Sequence, residues 1–205
     1  AQMSKIKENS GVLVQGHIKI HDPESGAVFV NKRNAIHYEN MSIALAESVA
    51  NQGQGFISSM AFGNGGTSVD PTGIITYLTP NSTGTNASLY NQTFTKIVDD
   101  RSVSNLDPQR NKIETRHVNG TNYTDVVVTC LLDYGEPNGQ DATDTASASD
   151  SLYVFDELGL VSYASSGTGK LLTHVIFHPV QKSLNRLIQI DYTVRVQSLT
   201  GFNEG

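Results

Sequence analysis

Residues Met60–Tyr77 read MAFGNGGTSVDPTGIITY, with glycines at 63, 65, 66 and 73. A glycine-rich turn after a strand is one place where backbone amides cradle a phosphate. The dinucleotide fingerprint G-x-G-x-x-G also needs a helix behind it, because the helix N-terminus supplies the anion-binding amides. Here Gly66 puts the third glycine out of register, and VDPTG follows in place of a helix. The phosphate reading fails, and Gly63, Gly65 and Gly66 are expected to permit positive φ where a strand reverses. Ser165–Leu171, SSGTGKL, imitates a P-loop less well. Ala164 stands where its first glycine is required, and Leu171 replaces the magnesium-binding hydroxyl. That segment reads as a hairpin tip.

Two histidine pairs have four-residue spacing, His17 with His21 and His174 with His178. On a helix such a pair shares one metal. Both pairs lie in strand-like runs, where four residues span about 13 Å, so each pair reads as surface or cross-strand histidines. Asp141, Asp144 and Asp150 in DATDTASASD lack the glycine and terminal Glu of a calcium loop. That segment reads as a solvated loop. Cys130 sits in the apolar run TDVVVTCLLDYG as a small buried hydrophobe. Neither G-x-S-x-G nor H-E-x-x-H occurs, and no catalytic residue, cofactor or metal is expected.

The elements around these residues are mostly strands. QGHIKIHD and AVFVNKRN alternate and are joined by DPESG, so residues 16–34 read as a hairpin. YENMSIALAESVANQGQG predicts the one helix, at about 41–52. Asn40 would be its N-cap, Gly53 its stop, and Ile43, Ala46, Val49 and Ala50 its inner face. GFISSMAFG is a strand. Thr67–Leu89 reads as a polar surface excursion in which only GIITYL has strand character. The second half reads as a meander: NQTFTKIVDD, NKIETRHV, YTDVVVTCLLDYG, SLYVFDELGLVSYA, KLLTHVIFHPV and NRLIQIDYTVRVQSL. In the last run Leu187, Ile190, Tyr192, Val194 and Val196 alternate with polar residues, with a slip near Ile188. The expected core includes Val126, Val128, Leu131, Val154, Ile176, Ile190 and Val194.

Composition narrows the function classes. Only 17% of the 205 residues are charged, and Thr, Ser, Asn and Gly fill the deficit, the balance of β-rich extracellular or virion proteins. The formal net charge of -6 offers no basic stripe for nucleic acid. No apolar run approaches the roughly 20 residues that span a bilayer. The opening residues show no apolar signal segment, so the N-x-[ST] triplets at Asn40, Asn81, Asn86, Asn91, Asn119 and Asn122 read as loop and edge-strand sequence rather than glycosylation sites.

GHIKIHDPESGAVFVNKRNAIHYENMSIALAESVA followed by ISSMAFGNGGTSVDPTG resembles structural proteins of tailed-bacteriophage virions. The positions that carry the likeness are Asp22, Ser25, Gly26, Asn34, the helix at 41–52 and Gly63–Gly66. The segment from FDELGL to IDYTVRV is similar to the last strands of such proteins, so the likeness covers about 15–78 and 151–197. It implies a non-enzymatic virion subunit, assembled in the host bacterial cytoplasm and contacting copies of itself and other virion proteins.

The fold expected is mainly β, an antiparallel β-sandwich or barrel-like domain over 16–200, with one short α-helix and a long extended arm. An N-terminal arm (1–15) and a tail (201–205) would flank it. Ile74, Ile75, Tyr77 and Leu78 are the expected assembly residues, adding a strand to a neighbour's sheet edge in a ring at the neck, collar or tail. The alternatives are a capsid decoration protein and a receptor- or carbohydrate-binding tail module. The absence of Trp disfavours the carbohydrate module.

Overall fold

The computed structural model describes residues 6–137 and 152–204. In chain order these form β1 (Ile6–His21), β2 (Val28–Ile36), α1 (Tyr38–Val49), β3 (Ile57–Gly63), β4 (Thr67–Val69), β5 (Ile75–Tyr77), β6 (Gln92–Ile97), β7 (Lys112–His117), β8 (Tyr123–Leu132), β9 (Leu152–Ser162), β10 (Thr173–Ser183) and β11 (Ile188–Glu204). The chain is mainly β, as its alternating runs predict. Nine strands make one antiparallel sheet in the order β6-β3-β9-β10-β2-β1-β11-β8-β7, curled into a half-barrel. β4 and β5 form a separate hairpin. The acidic residues Asp141, Asp144 and Asp150 lie outside the described residues.

Turn chemistry closes the first hairpin. Asp22 Oδ1 accepts the N–H groups of Glu24 and Ser25 at 2.8 and 3.2 Å, and Gly26 takes φ +78°. The inner faces of β1 and β11 bury Ile18, Ile20, Ile188, Ile190, Tyr192 and Val194. The slip near Ile188 is thereby resolved: Ile188 belongs to the inward frame, and Leu187 precedes the strand. Val128, Leu131, Ile176, Ile190 and Val194 are buried as expected, and Val126 packs half-buried on the core. Val154 is a correction. It is 37% exposed, because Tyr153 and Phe155 take the inward positions of β9. In a run of consecutive apolar residues the period-2 phase is undetermined until the larger side chains find their pocket. Ile190→Ala is expected to lower stability by about 2–5 kcal/mol, and an unchanged melting temperature would contradict this register.

The curl brings the far strands together. Lys96 on β6 donates to the Leu131 carbonyl at the end of β8 and to Glu136 Oε1 at 2.6 Å. Buried Lys182 donates to the carbonyls of Asp133, Glu136 and Ser183 at 2.7–2.9 Å. These bonds tie one end of the half-barrel without side-chain hydrophobicity.

The helix differs from the sequence expectation at both ends and in its face. It starts at Tyr38, with His37 as N-cap accepting the Asn40 N–H. It stops at Val49, where Asn51 takes φ +52° and Asn51 and Gln52 donate back to Ser48 and Glu47, a Schellman closure. The buried face is Asn40, Met41 and Ala44. Ile43 is half-buried, while Ala46, Val49 and Ala50 are exposed. The Asn40 amide, donating to the Leu171 carbonyl at 2.9 Å, sets that rotation. A polar anchor overrides an apolar stripe here.

The flanking arms also differ from expectation. Residues 6–15 are the start of β1 and pair with β11, whose last residues, 201–204, lie opposite 6–9. Residues 6–12 and 198–204 are a two-stranded ribbon, which β8 joins at Gln197 and β2 at Gly16.

Candidate assembly surface and its carboxylate-anchored root

The glycine turn after β3 holds carboxylates of its own chain. β9 carries Asp156 and Glu157 side by side, and both are buried. Glu157 Oε2 accepts the N–H of Gly65 at 2.8 Å and of Asn91 at 3.0 Å. Its Oε1 accepts the N–H of Tyr90 and the Nε2–H of His174, both at 2.8 Å. Asp156 accepts the N–H of Gly66 and of Thr67 at 2.9 Å each, and the Thr67 hydroxyl at 2.5 Å. The amides of residues 65–67 that could cradle a phosphate are already committed to two carboxylates, whose charge repels an anion.

The physical role of the glycines is therefore corrected. Positive φ occurs at Gly73, not at Gly63, Gly65 or Gly66. Gly63 and Gly65 are needed for space, and Gly66 is tightly packed, with Ile176 Cγ2 3.0 Å from where a Cβ would stand. A Cβ on Gly63 would lie 2.4 Å from the Asn91 carbonyl oxygen, and one on Gly65 would lie 2.8 Å from the Asn91 nitrogen. Burial opposes ionisation of Glu157, but bonds from His174, Asn91, Tyr90 and Gly65 outweigh it and hold its carboxyl below the ordinary value. Cys130 is fully buried, which pushes its thiol up to about 12 and leaves it inert.

From this root the excursion runs out and back. β4 and β5 make a short hairpin closed by Asp70, whose Oδ1 accepts Thr72 N, Thr72 Oγ1 and Ile74 N at 2.7–2.9 Å. Ile74, Tyr77 and Leu78 are 63%, 50% and 44% exposed, and Ile75 is half-buried. The four sequence-predicted residues thus lie on or just after β5, with Tyr77 and Leu78 lining a cleft beside Lys32–Ala35 of β2 and Val175 and Ile176 of β10. The return segment, 78–91, is not the loose arm its composition suggests. Leu78 N–H donates to Gly66 O, Asn81 N–H to His174 Nδ1, and Gly84 O accepts His37 Nε2–H. Leu89 and Ala87 pack on Ala61, Leu171 and Val161. Polar residues in a loop carry no local mark of the remote partners that hold them, which is why His37 and Glu157 escape a motif search and His174 enters it only as half of a spaced pair.

The histidine pairs separate as strand geometry requires. His17 is exposed, and His21 bonds across strands to Asp191 at 2.8 Å. His174 is buried and His178 exposed, because the register of β10 shifts between Ile176 and Val180. Among the described residues no three His, Cys, Asp or Glu side chains gather to hold a metal.

A second feature is a cleft of about 530 Å³ between α1 and the inner face of the sheet. Met41, Leu45, Phe56, Ile113, Val194 and Val196 line its apolar wall, with Asp99 and Arg101 also on the lining. Ser48, Asp100 and Thr115 complete its polar rim. No family model, curated protein or solved structure matches this chain.

Proposed function

We propose that this chain is a non-enzymatic structural subunit of a tailed-phage virion. It would form a ring at the neck, collar or tail and contact copies of itself and other virion proteins. The sequence resemblance motivates the reading, and one structural observation supports it. Ile74, Tyr77 and Leu78 are exposed on a hairpin whose root is locked to buried Asp156, Glu157 and His174. A hairpin anchored at its root presents apolar surface at a lower ordering cost on docking than a free arm would. A heterologous contact of this exposed hairpin with a different patch on its neighbour repeats into a ring when the rotation closes.

The test is the triple variant Ile74→Ser, Tyr77→Ser, Leu78→Ser in particle complementation. Exposed positions of this kind change stability by less than about 0.5 kcal/mol each, so the purified variant should keep its β spectrum. Loss of incorporation into particles is expected. Normal incorporation would remove the hairpin from the assembly interface, and recovery of the variant only from the head surface would favour the decoration reading.

A further inference from the structure

The free strand edges of this domain are not treated alike. β7, at one end of the sheet, carries Glu114 between Lys112 and Arg116, at 3.4 and 3.2 Å. β6, at the other end, is six residues long and sends Lys96 across to Glu136. Short length and charge are how an edge is kept from adding foreign strands. The ribbon of β1 and β11 has no such guard along its length. β2 leaves β1 at Gly16, where the Asn34 side chain fills the space a Cβ would need, and crosses to β10. β8 leaves β11 at Gln197. Beside it the Asn122 carbonyl accepts the Ser198 N–H at 2.8 Å, and the Asn122 side-chain amide donates to the Ser198 carbonyl at 2.9 Å. From Ile6↔Glu204 to Gly11↔Leu199 the two strands pair only with each other. Among the described residues no backbone bond reaches either outer edge there. That length is about 20 Å at the usual strand rise. It holds no proline, and its charges, Lys7, Glu8 and Glu204, all stand near the tip. Val12 and Leu199 are exposed at its base. A two-stranded ribbon alone is marginally stable in water, and each outer edge is a row of N–H and C=O groups shaped for an added strand.

We propose that this ribbon is a sheet-extension site whose partner is a second copy of this chain, residues 6–11 of one copy pairing with residues 199–204 of the next. The geometry selects a copy over a foreign strand. The two free edges face opposite ways and match row for row, so a copy on each side presents the edge that the other lacks. Rotation about an axis along the ribbon leaves strand directions unchanged. β1 therefore meets the next copy's β11 antiparallel, as it meets its own. Such a contact is heterologous and repeats from copy to copy. It deepens the ring reading above, on which its closure rests, but the pairing itself needs no particle.

Two single-cysteine chains test it, and buried Cys130 does not interfere. Ser10 and Thr200 stand opposite each other in the ribbon. Purified full-length Ser10→Cys and Thr200→Cys are mixed, concentrated and treated with a short bismaleimide. The reagent tolerates a two-residue stagger between copies, because diagonal neighbours lie only about 7–8 Å apart. A cross-linked dimer is expected from the mixture and from neither variant alone. In the wild type, amide exchange should slow with rising protein concentration at alternate residues of 6–11 and 199–204, those whose N–H groups face outward in the single chain. Cross-linking of Ser10→Cys to itself would put β1 beside β1 and overturn the head-to-tail pairing. Absence of the mixed product, or exchange independent of concentration, overturns it too. A mixed product without the alternate-residue pattern places the contact on the ribbon's faces and rejects strand pairing. If a cysteine variant does not fold, the wild-type exchange decides. Particle complementation with the wild-type chain is scored apart. A mixed product from a chain that enters no particle keeps the ribbon and rejects the virion reading, and incorporation without the mixed product does the reverse.

Discussion

Glu157→Gln is expected to destabilise the fold by about 2–6 kcal/mol, counting two buried donors left unpaired at about 1–3 kcal/mol each. The two carboxylate oxygens share four N–H donors, two per oxygen. An amide can keep one oxygen in place, but its NH2 then faces two donors with a third. Urea denaturation at neutral pH is the measurement, and a loss below about 1 kcal/mol would mean the amides are satisfied in some other way. The pH dependence follows from the lowered carboxyl. A group whose folded pKa lies below its ordinary value of 4.5 contributes stability above that value and loses it as pH falls through the folded one. The gap between wild type and Glu157→Gln should therefore be widest near neutrality and narrow only below about pH 4.5. A gap that persists unchanged into acid would point to packing rather than charge.

Phe155→Ala is the second large effect, with an expected loss of about 3–5 kcal/mol. The Phe155 ring is fully buried and meets three others: Phe62 edge-on at 5.4 Å, Tyr153 stacked at 5.7 Å and Phe177 edge-on at 5.7 Å. Removing it deletes aromatic pairs from β3, β9 and β10 at once, in addition to the cavity it leaves. Phe155→Leu keeps most of the volume and should cost less. Equal losses for the two would place the energy in the aromatic pairing rather than in the filled space.

Both sites lie in one strand that the sequence shows only as an apolar run. SLYVFDELGLVS announces a buried strand, but not which of Tyr153, Val154 and Phe155 turn inward, nor why Asp156 and Glu157 should tolerate burial. Local sequence does carry every strand but β4, the DPESG turn, the existence of a helix and the strand character of IITYL. Each of these depends on neighbours in the chain: alternation sets a face, and a proline or a glycine sets a turn.

What tertiary structure alone decided was every feature satisfied by a distant partner. The helix face turned to the Asn40–Leu171 bond. The terminal segments joined as a ribbon because β1 and β11 lie antiparallel over their whole lengths. The glycine turn, read as a matter of backbone freedom, proved to be a matter of space around Asp156 and Glu157. A buried charge is tolerable only where several donors converge on it. Those donors come from residues 65–67, 90–91 and 174, which the chain order keeps apart and only the curled sheet brings together.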